Sequence, residues 1–143
     1  MATEAQPKYE DGISEAAACE IVRQWAGAFN RRDVDALVAL ADPEIEFHPS
    51  ILVGARRTYV GHDGLRRWVE DVKATHIEHT VEISRARRSS SGDVVLTGKL
   101  FAGGKPVGPF SMRFRLRGGR VIDAASYLSE ESVLIALGHI DAD

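Results

Sequence analysis

The sequence predicts an α+β domain: a cone-shaped, strongly curved, mixed or antiparallel sheet covered by three N-terminal helices, with a short C-terminal helix. Three observations predict it. The first half of the chain carries apolar residues at three- and four-residue spacing, the period of a helix with one buried stripe. From Glu78 onward the period falls to two, as in strands with one buried face. Helical segments come first and turn-connected strands later, the order of an α+β fold. A strongly bent sheet with helices on one face encloses a cone, and a cone with one apolar mouth suits a small-molecule cavity.

The elements follow in order. Ser14 is placed to cap the first helix, with Glu15 in the first turn, where a carboxylate favours the positive end of the helix dipole. Ala18, Ile21, Val22, Trp25 and Phe29 form its stripe, and Asn30, Arg31 and Arg32 end it. Asp33 caps a shorter second helix with Leu37, Val38 and Ala41 inward, stopped at Asp42-Pro43, because the residue before a proline avoids helical dihedrals. A short extended piece runs from Glu44 to His48 and ends at Pro49, and residues 50–60 have no clear period. Gly61-His62-Asp63-Gly64 turns into a third helix with the stripe Leu65, Trp68, Val69 and Val72. Asp63 reads as its cap or first-turn acid.

Val81 and Ile83 then alternate with Glu82 and Ser84, and Ser89 to Asp93 is a turn cluster. A strand is expected over Val94 to Ala102, followed by the turn Gly103-Gly104-Lys105-Pro106. Phe110, Met112, Phe114 and Leu116 alternate with Ser111, Arg113 and Arg115, a half-buried strand. Arg117-Gly118-Gly119 turns into a last strand, Val121 to Leu128. The terminal helix is expected over Ser129 to Leu137, with Gly138 at its C-terminal cap.

The chain has 143 residues, 44% hydrophobic and 27% charged, with a formal net charge of −3. That length fits one domain, read as a loose tail over 1–13, the domain over 14–138 and a short tail over 139–143. The composition is too apolar for a disordered chain. No apolar run approaches the ~18 residues of a membrane span, so no membrane partner is expected. Without a basic excess, no nucleic-acid partner is expected either. The lone Cys19 excludes an internal disulfide, and the polar start is not a secretory leader, so a cytoplasmic location is expected. His76 and His79 stand three apart, but no third ligand is evident, and no metal site is expected. Arg113, Arg115 and Arg117 alternate on one strand face, which reads as a solvated face balanced by the chain's acids. The sequence contains no phosphate-binding glycine loop, nucleophile elbow or zinc motif.

Four segments carry a resemblance: Trp25-Ala-Gly-Ala-Phe-Asn-Arg-Arg-Asp-Val-Asp-Ala-Leu, Leu40-Ala-Asp-Pro-Glu-Ile-Glu-Phe-His-Pro, Tyr59-Val-Gly-His-Asp-Gly-Leu-Arg-Arg-Trp and Gly118-Gly-Arg-Val-Ile-Asp. In this order and spacing the chain resembles a SnoaL-like domain of the nuclear-transport-factor-2-like superfamily. The family spans ketosteroid isomerases, polyketide cyclases, dehydratases, epoxide hydrolases and binding-only domains, so the fold does not settle the activity. The ketosteroid isomerases use an Asp base with a Tyr and a protonated Asp as donors. At the corresponding positions this chain has His48 before Pro49, Trp25, and Met112 by strand alternation or Ser111 without a gap. The Asp relay of the limonene-epoxide hydrolases is replaced by Ser126 and by Thr97-Gly98-Lys99.

The resemblance therefore implies His48 as the candidate catalytic residue, an imidazole that titrates near neutral pH. Alternation sets one condition: if Phe47 points into the cavity, His48 points away. Ile122, Ala124, Ser126 and Leu128 share one face of the last strand, and Asp123, Ala125 and Tyr127 the other. Candidate ligand-binding residues are Trp25, Phe29, Tyr59, Trp68, Phe110, Met112 and Ser126, which favour a small hydrophobic ligand. The resemblance implies work without metal or cofactor and a homodimer through the outer sheet face, at Ala125 and Tyr127. Two readings remain open: an isomerase, cyclase or dehydratase acting on a hydrophobic carbonyl compound by proton transfer, and a non-catalytic ligand-binding or protein-interaction domain.

Overall fold

The computed structural model describes residues 12–49 and 58–127. Three helices, α1 (Glu15–Arg31), α2 (Val34–Leu40) and α3 (Gly61–Ala74), accompany six strands. The strands are β1 (Ala41–His48), β2 (Tyr59–Val60), β3 (His79–Arg88), β4 (Val94–Ala102), β5 (Lys105–Arg117) and β6 (Arg120–Tyr127). They form one sheet in the order β2-β1-β6-β5-β4-β3. β3 to β6 make an antiparallel meander, and β1 joins it in parallel alongside β6.

The caps are those the residue types demand. Ser14 accepts from the Ala17 amide at 3.1 Å, and Asp33 accepts from the Ala36 amide at 3.1 Å. Each side-chain oxygen satisfies an amide that has no partner inside its helix. α1 ends on Arg32 in the left-handed conformation, φ 57°. Its guanidinium lies 4.4 Å from the Phe29 ring centre and donates to the carbonyls of Phe29 and His79. Asn30 exchanges two hydrogen bonds of 2.9 Å with the backbone of Val81. It thereby occupies peptide groups on edge strand β3 that would otherwise stay unpaired.

One expectation, about curvature, is corrected. The strands form an open six-stranded layer with free edges at β2 and β3, rather than a strongly curved, cone-shaped wrap. β2 offers only two residues for pairing, and β3 ends the opposite side, so nothing draws the edges together. The described structure ends with β6 and holds no C-terminal helix; the expected helix over 129–137 lies outside the described residues.

Local irregularities revise the counting. β1 starts at Ala41 and contains Asp42-Pro43, which the sequence reads as a helix stop. Proline has no amide to donate, and Pro43 falls where the β1–β6 ladder is interrupted between Ala41 and Glu46. A second irregularity opposes Leu116 to Val121 and Arg115 to Asp123, leaving Ile122 as an extra residue. Val121, not Ile122, is therefore fully buried. Two glycines mark close approaches. A Cβ on Gly64 would meet the Tyr59 backbone at 2.9 Å, and one on Gly98 would meet the Glu82 carbonyl oxygen at 1.9 Å.

The core lies between the helices and one sheet face. Trp25, Phe47 and Phe114 are each at most 1% exposed there. No helix of the described residues is long and apolar enough to cross a membrane.

Candidate functional site

The helix-side face holds a cavity. α1 contributes Trp25, Ala26 and Phe29, and α3 contributes Trp68. The strand side contributes Phe47, Val81, Leu100, Phe110, Met112 and Ser126, with Pro49 just past β1. The cavity has a volume of about 30 Å³. Its aromatic wall is a connected cluster. Phe29 stacks on Trp68 at 5.1 Å, and Phe47 meets Trp68 edge-on at 4.5 Å. Trp25 meets Phe47 at 5.8 Å and Phe114 at 5.7 Å, both edge-on. These are the offset and edge arrangements that ring quadrupoles favour.

The cavity brings together Trp25, Phe29, Trp68, Phe110, Met112 and Ser126 from the sequence-derived set. Tyr59 is placed elsewhere: it is buried under α3, and its hydroxyl donates to Asp71 at 2.5 Å. Phe47 and Pro49 were not among the expected lining residues. The signal for both was available, because Ile45, Phe47 and Pro49 are spaced by two from one another.

The polar chemistry of the wall is narrow. None of the described lining residues is ionisable. The indole nitrogens of Trp25 and Trp68 are buried, and neither has a hydrogen-bond partner among the described residues. Ser126 adds the one hydroxyl among the described lining residues.

His48 lies on the opposite face. The alternation that turns Phe47 to the helices turns Glu46 and His48 outward, and the parallel register sets Glu46 against Asp123. The His48 Nδ1 lies 3.1 Å from Thr58 Oγ1. Its Nε2 lies 3.5 Å from Asp123 and 3.9 Å from Glu46. Glu46, His48 and Asp123 bring their ligand atoms within 4.8 Å of one another, in reach of a divalent cation. Arg113 already supplies a counter-charge there, donating to Asp123 at 2.9 Å.

The outer face continues as a lattice of paired charges. Arg113 and Arg115 both approach Asp93, and Arg117 binds Asp42 and Glu44. Burial alone would lower the Arg113 pKa, but the hydrogen bond to Asp123 and the charges of Asp123 and Asp93 outweigh it and raise the value. Asp42 is held below the usual carboxylate range, first by the Glu44 amide and then by Arg117. Arg85 and Arg87 do not join this lattice through strand pairing, because β4 separates β3 from β5. Ala125, expected at a dimer contact, is already buried within the single chain.

Comparison with known proteins agrees with this architecture. The family model described as the SnoaL-like domain matches residues 22–124. A protein with a ketosteroid isomerase-like fold from Catenulispora acidiphila, solved with trimethylamine, is 25% identical at a TM-score of 0.66. That match covers 83% of this chain and 92% of that one. An NTF2-like protein of unknown function from Burkholderia pseudomallei is 22% identical at a TM-score of 0.66, covering 88% and 98%. TerC, co-crystallised with polyporic acid, is 16% identical at a TM-score of 0.68, covering 82% and 95%. No curated protein sequence matches the chain significantly.

Proposed function

This chain belongs to the SnoaL-like domain family, and on that premise we propose that it binds a small hydrophobic molecule in the cavity between α1, α3 and the sheet, without carrying out proton-transfer chemistry on it. One observation carries this reading: the described wall is apolar and aromatic apart from Ser126 and offers no ionisable side chain. General acid–base catalysis needs a titratable group within hydrogen-bond reach of the reacting atom. A pocket without one still gains from burying apolar ligand surface, at about 25 cal/mol per Å². Proteins of the same fold solved in complex with trimethylamine and co-crystallised with polyporic acid support a small-molecule reading.

A second reading, an isomerase, cyclase or dehydratase with His48 as base, is favoured by one feature. The imidazole lies between Thr58 and the Asp123 carboxylate, an arrangement that orients the ring.

One experiment separates the two. The chain has two tryptophans, and both line the cavity, so intrinsic fluorescence reports occupancy. A panel of small apolar carbonyl compounds is titrated against the wild type and His48→Ala, and each mixture is followed for product. Saturable fluorescence changes without product, equal in both proteins, are expected. Product formed by the wild type and lost in His48→Ala would replace the binding reading with the catalytic one. No saturable change with any compound would remove both.

A further inference from the structure

Glu46 and His48 stand two apart on β1, so both side chains project from the outer face, and the parallel register sets Asp123 of β6 against Glu46. His48 itself is registered against Ala125, whose side chain is a single methyl group. One imidazole nitrogen and two carboxylate oxygens, from two strands, thus converge within 4.8 Å of one another. Hydrogen bonding does not account for their spacing. His48 Nε2 lies 3.5 Å from Asp123 Oδ2 and 3.9 Å from Glu46 Oε1, beyond the ~2.7–3.2 Å of an N–H···O bond. Ligand atoms about 2.0–2.1 Å from one tetrahedral zinc ion stand roughly 3.4 Å from each other. The His48–Asp123 separation is that of two such ligands, and Glu46, with its side chain 58% exposed, has the freedom to close the remaining gap.

We propose that Glu46, His48 and Asp123 form a binding site for a zinc-like divalent transition-metal ion on the outer face of the sheet, across from the cavity. The groups around the three side chains support them as ligands. Thr58 Oγ1 lies 3.1 Å from His48 Nδ1, and a proton donated from Nδ1 to that oxygen leaves the lone pair on Nε2, where a metal needs it. Arg113 donates to Asp123 Oδ1, which leaves Oδ2 on the His48 side. Arg113 is also shared with Asp93, and Glu46 has no arginine or lysine partner among the described residues, so negative charge is left for a cation to neutralise. The imidazole sets the choice of ion: nitrogen ligation favours Zn²⁺ and its first-row neighbours over Mg²⁺ and Ca²⁺, which take oxygen. Three protein ligands leave a fourth position to water. The site stands on the β1–β6 register and does not depend on what the cavity binds.

The test uses the full chain, stripped with EDTA, dialysed, and titrated by calorimetry with Zn²⁺ and separately with Mg²⁺. One Zn²⁺ per chain is expected, with Mg²⁺ weaker by at least about tenfold. His48→Ala, Glu46→Gln and Asp123→Asn are each expected to weaken Zn²⁺ binding by about 100-fold. Thr58→Val, which removes only the support at Nδ1, is expected to weaken it by about tenfold. The imidazole nitrogen resonances of the wild type are followed by NMR in parallel, and His48 Nε2 is expected to shift with the first equivalent of Zn²⁺. That readout stands even if a variant does not fold. Unchanged Zn²⁺ affinity in His48→Ala would overturn the proposal. So would a loss confined to His48→Ala with Glu46→Gln and Asp123→Asn unaffected, Mg²⁺ binding as tight as Zn²⁺, or no saturable Zn²⁺ binding up to millimolar concentration.

Discussion

The two faces of the sheet are built by the same strands and differ in nearly every physical respect. On the helix side, Phe47, Phe114 and Met112 meet the aromatic side chains of α1 and α3 and leave a cavity. On the outer side, the neighbour His48 lies 3.5 Å from Asp123, and Arg113 and Arg115 form ion pairs with Asp123 and Asp93. One face is held by shape and burial, the other by charge in partial contact with water. The comparison teaches where chemistry can reside. The ion-pair cluster around Asp123 and Asp93 lies on the outer face, while the described lining of the enclosed space on the helix face is aromatic and aliphatic apart from Ser126.

The sharpest way to break this contrast is to truncate the apolar face. Phe114→Ala removes a fully buried ring that meets Trp25 edge-on. It should destabilise the chain by about 3–5 kcal/mol, read as a lower urea midpoint. A loss below about 1 kcal/mol would mean the site collapses and that packing there is loose.

The next test addresses the outer face at the most buried of its three paired arginines. Arg113 is 17% exposed on its side chain and shared between Asp123 and Asp93. Arg113→Ala leaves two carboxylates without that partner and should cost about 1–3 kcal/mol in the same assay. Arg117→Ala, whose own side chain is 58% exposed in its pairs with Asp42 and Glu44, is the comparison and should lower the midpoint less. An equal loss in both would show that burial does not grade the outer face.

The smallest expected effect is one of pH. Burial first, and then the charge of Arg32, lower the His79 pKa below its ordinary 6.5. Between the folded value and 6.5 the unfolded chain binds more protons, so stability rises with pH through that window and is lost on acidification. His79→Gln should flatten stability against pH below about 6.5 and leave it nearly unchanged above. A slope that persists in the variant would assign the effect to another group.

Much of the fold was legible in the chain because the signals are local. The caps at Ser14 and Asp33, the helical stripes ending at Phe29 and Val72, and the alternation from Phe110 to Leu116 each depend on neighbours within a few residues. The cavity was legible to the extent that it inherits those stripes, which is why Trp25, Phe29, Trp68, Phe110 and Met112 all line it. Phe47 follows from the same alternation, which turns it toward the cavity and His48 away from it. Tyr59 was not resolved this way, because its placement depends on Asp71, a residue on another element.

By itself, the sequence determined the α+β class, the helices and their caps, the alternating strands and the family. Each of these rests on periodicity or composition over short stretches. Only the tertiary structure decided how the strands pair, where the register slips, and which faces enclose space. The extra residue at Ile122 buries Val121 in its place, and the interrupted ladder takes Pro43 into a strand. The parallel register of β1 and β6 brings His48 to Asp123, across the sheet from the cavity. Whether an indole N–H finds an acceptor is likewise a property of what surrounds it. That depends on segments far apart in the chain, and a pattern of nearest neighbours carries no information about it.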